Sequence, residues 1–387
     1  MNKKELELYI HIPFCVRKCS YCDFLSAPAT EQTREAYMAA LFAEIGGRAK
    51  DYSDRTVTSI FIGGGTPSLL SGEQIGQLMD RIREQFAMAQ DAEITMEVNP
   101  GTASAEKLRN FYTAGINRLS IGMQSAQAEE LKNLGRIHDF EGFCQVYREA
   151  VEAGFTNINV DIMSGLPGQT LASYRDTLEK VLHLEPMPQH ISAYSLIVEE
   201  GTPFAAMAER GELPLPEEET ERAMYEETIE VLAKYGFHRY EISNYARDGY
   251  ECRHNVGYWI RRDYLGFGIG AASLIDNVRF QNEKSLGAYL AHPLESREEE
   301  QTLTVQDRME ETLFRGLRLT RGVSCVDFAE QYGRTVEEVY GEVIARNVAD
   351  GLLTVTERKE NQKKDRLLAL TKRGLDLSNY VMAQFLF

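Results

Sequence analysis

Short apolar runs alternate with amphipathic stretches from Leu6 to about Glu200. The apolar runs predict strands over residues 8–12, 59–62, 94–98, 118–121, 158–162 and 190–196. Between them, apolar positions recurring at helical spacing predict helices over 34–46, 72–86, 105–114, 140–153 and 171–184. Gly115, Gly154 and the pair Pro186 and Pro188 mark junctions. Strand and helix alternating in this way predict a parallel sheet, because each parallel neighbour needs a long crossover. Six such units are too few for a closed eight-fold barrel and suit a curved, open one. The expected fold class is therefore α/β, with a partial (β/α)6 barrel over residues 1–200. Ligands of such sheets gather at the C-terminal ends of the strands.

The pattern weakens over 201–300. Residues 217–235 read as a helix whose acidic start, Glu217 to Glu219, suits the positive end of the helix dipole. An extended piece over 238–245 follows, then a glycine-rich segment from Gly266 to Gly270. From about Gln301 short helices take over. They lead to an apolar run over 352–356, a polar loop over 357–365 and a second apolar run over 367–371. Helices followed by a two-stranded hairpin resemble a winged-helix module, assigned to 301–387, with 201–300 as an extension before it. No repeat of fixed period and no low-complexity tract is present.

A chain of 387 residues with 43% hydrophobic content builds a packed core. A net charge of −17 argues against nucleic acid and against anionic lipid surfaces as partners. No apolar run reaches the length of about 18 residues that a membrane span needs. Residues 1–8 are polar and charged, unlike a secretory leader, so a cytoplasmic location is expected. In that reducing compartment the six cysteines are not expected to form disulfides. Cys144, Cys252 and Cys325 are scattered and read as small packed residues.

Cys15, Cys19 and Cys22 lie together directly after the first strand. Iron–sulfur clusters take thiolates, commonly four for a cubic cluster. Three cysteines on one short loop reach three corners of a cube and leave one iron open to an external ligand. The alternative is a closed Cys3His zinc site with His11, against which stands the place of His11 inside a strand pattern. The second strand ends in Gly63-Gly64-Gly65-Thr66-Pro67, where glycines let a backbone approach a ligand. Later strands end in Glu97 and Asn99, in Gln124 and Ser125, and in Asp161, all placed to face one rim. Arg136 offers a charge for a carboxylate. Apart from these, Cys252-Arg253-His254-Asn255-Val256-Gly257-Tyr258-Trp259 brings a histidine beside the single tryptophan. Imidazole ligates haem iron and aromatic rings pack on porphyrins, but a structural histidine beside a core tryptophan gives the same pattern.

With those motifs in view, the chain resembles the radical S-adenosylmethionine superfamily. More closely it resembles the oxygen-independent coproporphyrinogen III oxidases and their haem-chaperone relatives. The likeness spans about residues 6–380 and rests on YIHIPFCVRKCSYCDF, FIGGGTPSLL, EITMEVNPG, NRLSIGMQS, LGRIH, NVDIMSGLPGQT, HNVGYW and GLRLTRGVS, in the family's order. It implies a 4Fe–4S cluster on Cys15, Cys19 and Cys22. It implies S-adenosylmethionine contacts at Tyr9, Tyr21, Gly64, Gly65, Thr66, Glu97, Gln124, Arg136 and Asp161. It implies haem binding by the HNVGYW motif, through His254, Asn255, Tyr258 and Trp259. The oxidases carry a further cysteine where this chain has Phe24. The chaperones commonly show Gly-Ala-His-Ser where it has Gly270-Ala271-Ala272-Ser273, which leaves His254 as the candidate haem ligand. The expected function is a haem chaperone that passes haem to an acceptor haemoprotein, with a homodimer allowed. The alternatives are radical decarboxylation of coproporphyrinogen III and a zinc-stabilised binding protein.

Overall fold

The computed structural model describes residues 3–295, 297–360 and 363–386. Six strands lie side by side in chain order, all parallel: β1 (Lys4–Ile12), β2 (Arg55–Gly64), β3 (Ala87–Val98), β4 (Arg118–Gln124), β5 (Ile158–Ser164) and β6 (His190–Ser195). Successive side chains of a strand point to opposite faces, and here the two sets differ in chemistry. Leu6, Leu8, Ile10 and Ile12 of β1, Leu119, Ile121 and Met123 of β4, and Val160 and Ile162 of β5 are buried in the main core. The intervening positions carry Glu7, Tyr9 and His11, then Arg118, Ser120, Gly122 and Gln124, then Asn159 and Asp161. These meet one another. Asn159 Nδ2 donates to Ser120 Oγ at 2.7 Å, and Ser192 Oγ of β6 donates to Asn159 Oδ1 at 3.1 Å. The sheet therefore has an apolar outer face under its helices and a polar inner face around a lumen.

The crossover helices end within a few residues of their expected limits. Caps fix their starts: Ser71 and Gln74, and Thr170 and Ser173, bond reciprocally as capping boxes. β3 starts seven residues before the predicted 94–98, because Ala87 and Met88 pair with β2 before a break in register that no hydrophobic pattern marks.

Residues 201–300 do not form a separate body. They widen the barrel sheet at both edges. The expected extended piece over 238–245 is two short antiparallel strands, β7 (His238–Arg239) and β8 (Asn244–Ala246), with β8 paired to β6. At the other edge β9 (Tyr264–Phe267) runs parallel to β1, and β10 (Ala272–Ile275), β11 (Val278–Asn282) and β12 (Arg297–Thr302) continue antiparallel. Gln301 thus belongs to β12, not to a helix.

The C-terminal part has its own core, including Leu313, Phe328, Tyr340, Leu368 and Phe385. Helices Val305–Gly316, Cys325–Tyr332 and Val336–Ala349 pack on a small sheet of β13 (Val323–Ser324), β14 (Leu353–Glu360) and β15 (Lys363–Leu370), in the order β13-β15-β14. Of the polar stretch over 357–365, residues 357–360 and 363–365 are strand, not loop: pairing continues from Leu353 with Leu370 to Glu360 with Lys363, and positions 361 and 362 lie outside the described residues. A projecting hairpin needs no apolar face to pair, and Glu357 opposite Arg366 and Arg358 opposite Asp365 suit it. Among the described residues no helix is long and apolar enough to cross a membrane.

Candidate functional site

β1 ends at Ile12, and the chain then makes a closed loop. Phe14 bridges to Ala27; Cys15 N donates to the Ala27 carbonyl at 3.2 Å and Ala27 N to the Pro13 carbonyl at 2.9 Å. Phe14, fully buried against Tyr37, anchors it. Cys15, Cys19 and Cys22 all lie half-buried on this loop. Thr66 Oγ1 lies 3.5 Å from Cys15 Sγ and Arg136 Nη1 lies 3.9 Å from Cys19 Sγ. Burial pushes the Cys22 thiol up from its ordinary pKa; a bound metal group reverses that, since its charge deprotonates coordinating thiols.

The glycine turn after β2 exists for this loop. Gly65 N donates to the Ile12 carbonyl at 2.8 Å, and a Cβ at Gly65 would lie 2.7 Å from the Phe14 carbonyl oxygen. Any larger residue would push the cysteine loop off the barrel. Gly64 N donates to Glu97 Oε2 at 3.0 Å, tying the turn to the end of β3.

The three cysteines share one recess with Tyr21, Gly64, Gly65, Thr66, Glu97, Gln124, Arg136 and Asp161. The residues expected from the sequence thus come together, apart from Tyr9, the HNVGYW group and Ser125, which is fully buried and donates to Glu130 Oε2 at 2.6 Å behind the recess. Tyr9 sits below the rim, its hydroxyl 3.0 Å from His11 Nδ1, and lines a neighbouring groove instead. Gln124 holds a left-handed φ of 68° at the point where the β4–β5 register shifts, which turns it into the recess.

The electrostatics suit a zwitterion. Burial, and then the nearby Asp161, push the Glu97 carboxyl up to about 8. A cationic ligand group placed there relieves that repulsion. Arg136 Nη2 donates to the Gly122 carbonyl at 2.7 Å, while its buried Nε has no partner among the described residues and is free for a carboxylate.

The donor set fits an iron–sulfur cube better than one zinc ion. Both ring nitrogens of His11 are engaged elsewhere, with Tyr9 and with the Leu25 carbonyl at 2.8 Å. A cube holds each thiolate on a different iron, which needs three cysteines and no histidine.

The HNVGYW segment forms helix Arg253–Trp259, which plugs the lower end of the lumen. Glu93 of β3 caps it, accepting from Arg253 N at 3.2 Å and His254 N at 3.3 Å. His254 is 1% exposed. Its Nδ1 is 2.9 Å from Ser59 Oγ and its Nε2 is 3.1 Å from Tyr258 Oη. Burial, with Arg118 and Arg262 nearby, pushes it down to about 3, so it is neutral. As folded, neither nitrogen is open to an iron. Gly257 sits where a Cβ would overlap the Glu7 carboxylate. Asn255 faces a lumen cavity of about 280 Å³ beneath the recess, whereas Tyr258 and Trp259 face the groove that Tyr9 lines.

Sequence reasoning missed Arg118, Ser120, Asn159 and Ser192, which line that cavity. Their signal was present: each is polar at every second position of a strand whose other positions are apolar.

The Radical SAM superfamily model matches residues 9–181, and the HemN C-terminal domain model matches residues 303–377. The chain is 38% identical to a protein named heme chaperone HemW from Bacillus subtilis, covering 98% of each. It is 37% identical to the heme chaperone HemW of Escherichia coli, covering 90% of this chain and 92% of that one. The solved coproporphyrinogen III oxidase HemN of Escherichia coli, described as a radical SAM enzyme, superposes with a TM-score of 0.85 at 28% identity, covering 100% of this chain and 91% of the other.

Proposed function

The chain belongs to the radical SAM superfamily, in its HemW family, and from that premise we propose that it is a haem chaperone, carrying haem to an acceptor haemoprotein under the control of a 4Fe–4S cluster and S-adenosylmethionine. The observation that carries this reading is the near full-length likeness to proteins named for that role. Phe24 in place of the extra cysteine of the oxidases, 58% exposed beside the loop, supports it.

Cys15, Cys19 and Cys22 would hold the cluster. When bound, the cluster supplies electrons and an open iron to which S-adenosylmethionine coordinates. The protein's own part is positioning. Glu97 and Asp161 would face the amino group of that ligand and Arg136 Nε its carboxylate, while the Gly64–Gly65 turn keeps the loop seated. In the HNVGYW motif, Tyr258 and Trp259 would face the porphyrin. His254 would position Tyr258; it would reach the iron only by giving up its bonds to Ser59 and Tyr258.

A second reading is favoured by the superposition on the oxidase: a hydrogen atom leaves a propionate of coproporphyrinogen III for the 5′-deoxyadenosyl group, and carbon dioxide then departs to leave a vinyl group, the remaining electron passing to an external one-electron acceptor. Anaerobic reconstitution with iron and sulfide decides the cluster. The protein should turn brown and hold iron that is lost when all three cysteines are changed to alanine; equal iron in both would sink the assignment. Haemin should then bind with a new Soret band. Carbon dioxide release from coproporphyrinogen III with S-adenosylmethionine and a reductant would replace the chaperone reading with the enzyme.

A further inference from the structure

On the open side of the barrel a groove of about 570 Å³ runs between β1, β9, the plug helix and the end of helix Val305–Gly316. That size suits an organic ligand of several fused or linked rings. Its walls hold Tyr9, Tyr258, Trp259 and Tyr264, with Tyr258 and Tyr264 in edge contact at 4.6 Å between centroids. Arg315 and Arg318 stand on one side, and the Arg318 guanidinium lies 4.4 Å above the indole of Trp259.

Both arginines are loosely compensated. Arg318 Nη2 is 3.7 Å from Glu241 and Arg315 Nη2 is 3.9 Å from Glu311. Charge-assisted bonds close to about 2.7–2.9 Å when satisfied. Glu311 already makes close contacts to Arg261 and Arg279. Arg318 Nε and Trp259 Nε1 are buried with no hydrogen-bond partner among the described residues, a cost a protein normally avoids. A flat aromatic face beside two under-used guanidiniums is the complement of a planar macrocycle with two carboxylates on one edge.

We propose that Arg315 and Arg318 hold the two propionates of a porphyrin lying in this groove against Tyr258 and Trp259. The inference rests on the haem reading above, which puts the porphyrin against Tyr258 and Trp259; this one adds the two arginines that take its carboxylates and so orient it. The site is distinct from the cluster recess and does not require His254 to open.

The test uses the full, reconstituted chain. Haemin and haemin dimethyl ester are titrated by their Soret difference spectra into wild type, Arg315→Ala, Arg318→Ala and Ala272→Trp. Ala272 is exposed and lines the groove, so tryptophan there plugs it without entering the core. Each arginine variant should weaken haemin about tenfold, the scale of one charge-assisted hydrogen bond. The dimethyl ester should bind the wild type weakly and ignore the arginine changes. Ala272→Trp should block both ligands. Iron content and far-UV circular dichroism check folding, and should Arg318→Ala misfold, Arg315→Ala and Ala272→Trp still decide. Haemin bound equally by wild type and all three variants would overturn the groove while leaving the haem reading intact. No Soret change even in wild type would remove the haem reading itself. Coproporphyrin III, with four carboxylates, binding tighter than haemin would overturn the dicarboxylate assignment.

Discussion

Gly257→Ala tests the account of the plug helix. Gly257 lies inside helix Arg253–Trp259, has no left-handed φ, and is buried against Glu7 of β1. Its glycine is needed for space and not for backbone freedom. On an exposed helix the change to alanine would stabilise by about 1 kcal/mol. Here the new methyl overlaps the Glu7 carboxylate, which is itself fully buried and held by Arg262 at 3.4 Å, so it has little room to move. Overpacking of this kind costs about 1–3 kcal/mol, and more when the neighbour is rigid. The net expectation is a loss of roughly 1–2 kcal/mol, read in a chain of this length as a fall in Tm of about 1–3 °C. In a Glu7→Ala background the space is open, and Gly257→Ala should then be neutral or stabilise by up to about 1 kcal/mol. Thermal unfolding of the four proteins gives the coupling. If alanine costs the same in both backgrounds, the Glu7 contact is not what fixes glycine in the motif, and the plug geometry is wrong.

Two further outcomes are expected. Glu97 keeps its proton in the folded chain up to about 8, whereas the unfolded chain releases it above 4.5. The ligand-free protein should therefore lose stability as pH rises through that window, by at most about 5 kcal/mol, and Glu97→Gln should flatten the profile; parallel Tm curves for the two between about pH 5 and about 9 would refute it. Arg136→Ala should weaken S-adenosylmethionine about tenfold in equilibrium dialysis while leaving iron content unchanged, because its buried Nε is the free donor.

The strand–helix series and the cysteine loop were legible because each is local. Short apolar runs and helical spacing are properties of a few neighbouring residues, and the runs placed all six barrel strands. The rim residues followed, since strands that run parallel bring their C-terminal ends to one side. Even the polar lumen of Arg118, Ser120, Asn159 and Ser192 was written in the alternation. It went unread because polar side chains inside a buried strand look like noise until the sheet is known to curve.

What the sequence could not decide is everything made by pairing distant segments. β9 lies beside β1, joining Tyr264 to Glu7, and nothing near either residue announces it. That pairing helps carry the plug helix into the lumen, where Ser59 and Tyr258 occupy both nitrogens of His254 and turn the expected haem ligand into a clasp. It also leaves Tyr9 in the groove and not in the recess. Local periodicity determines which elements form and which way their side chains alternate; only the closed tertiary structure determines which buried polar groups find partners, and so which are left over for a ligand.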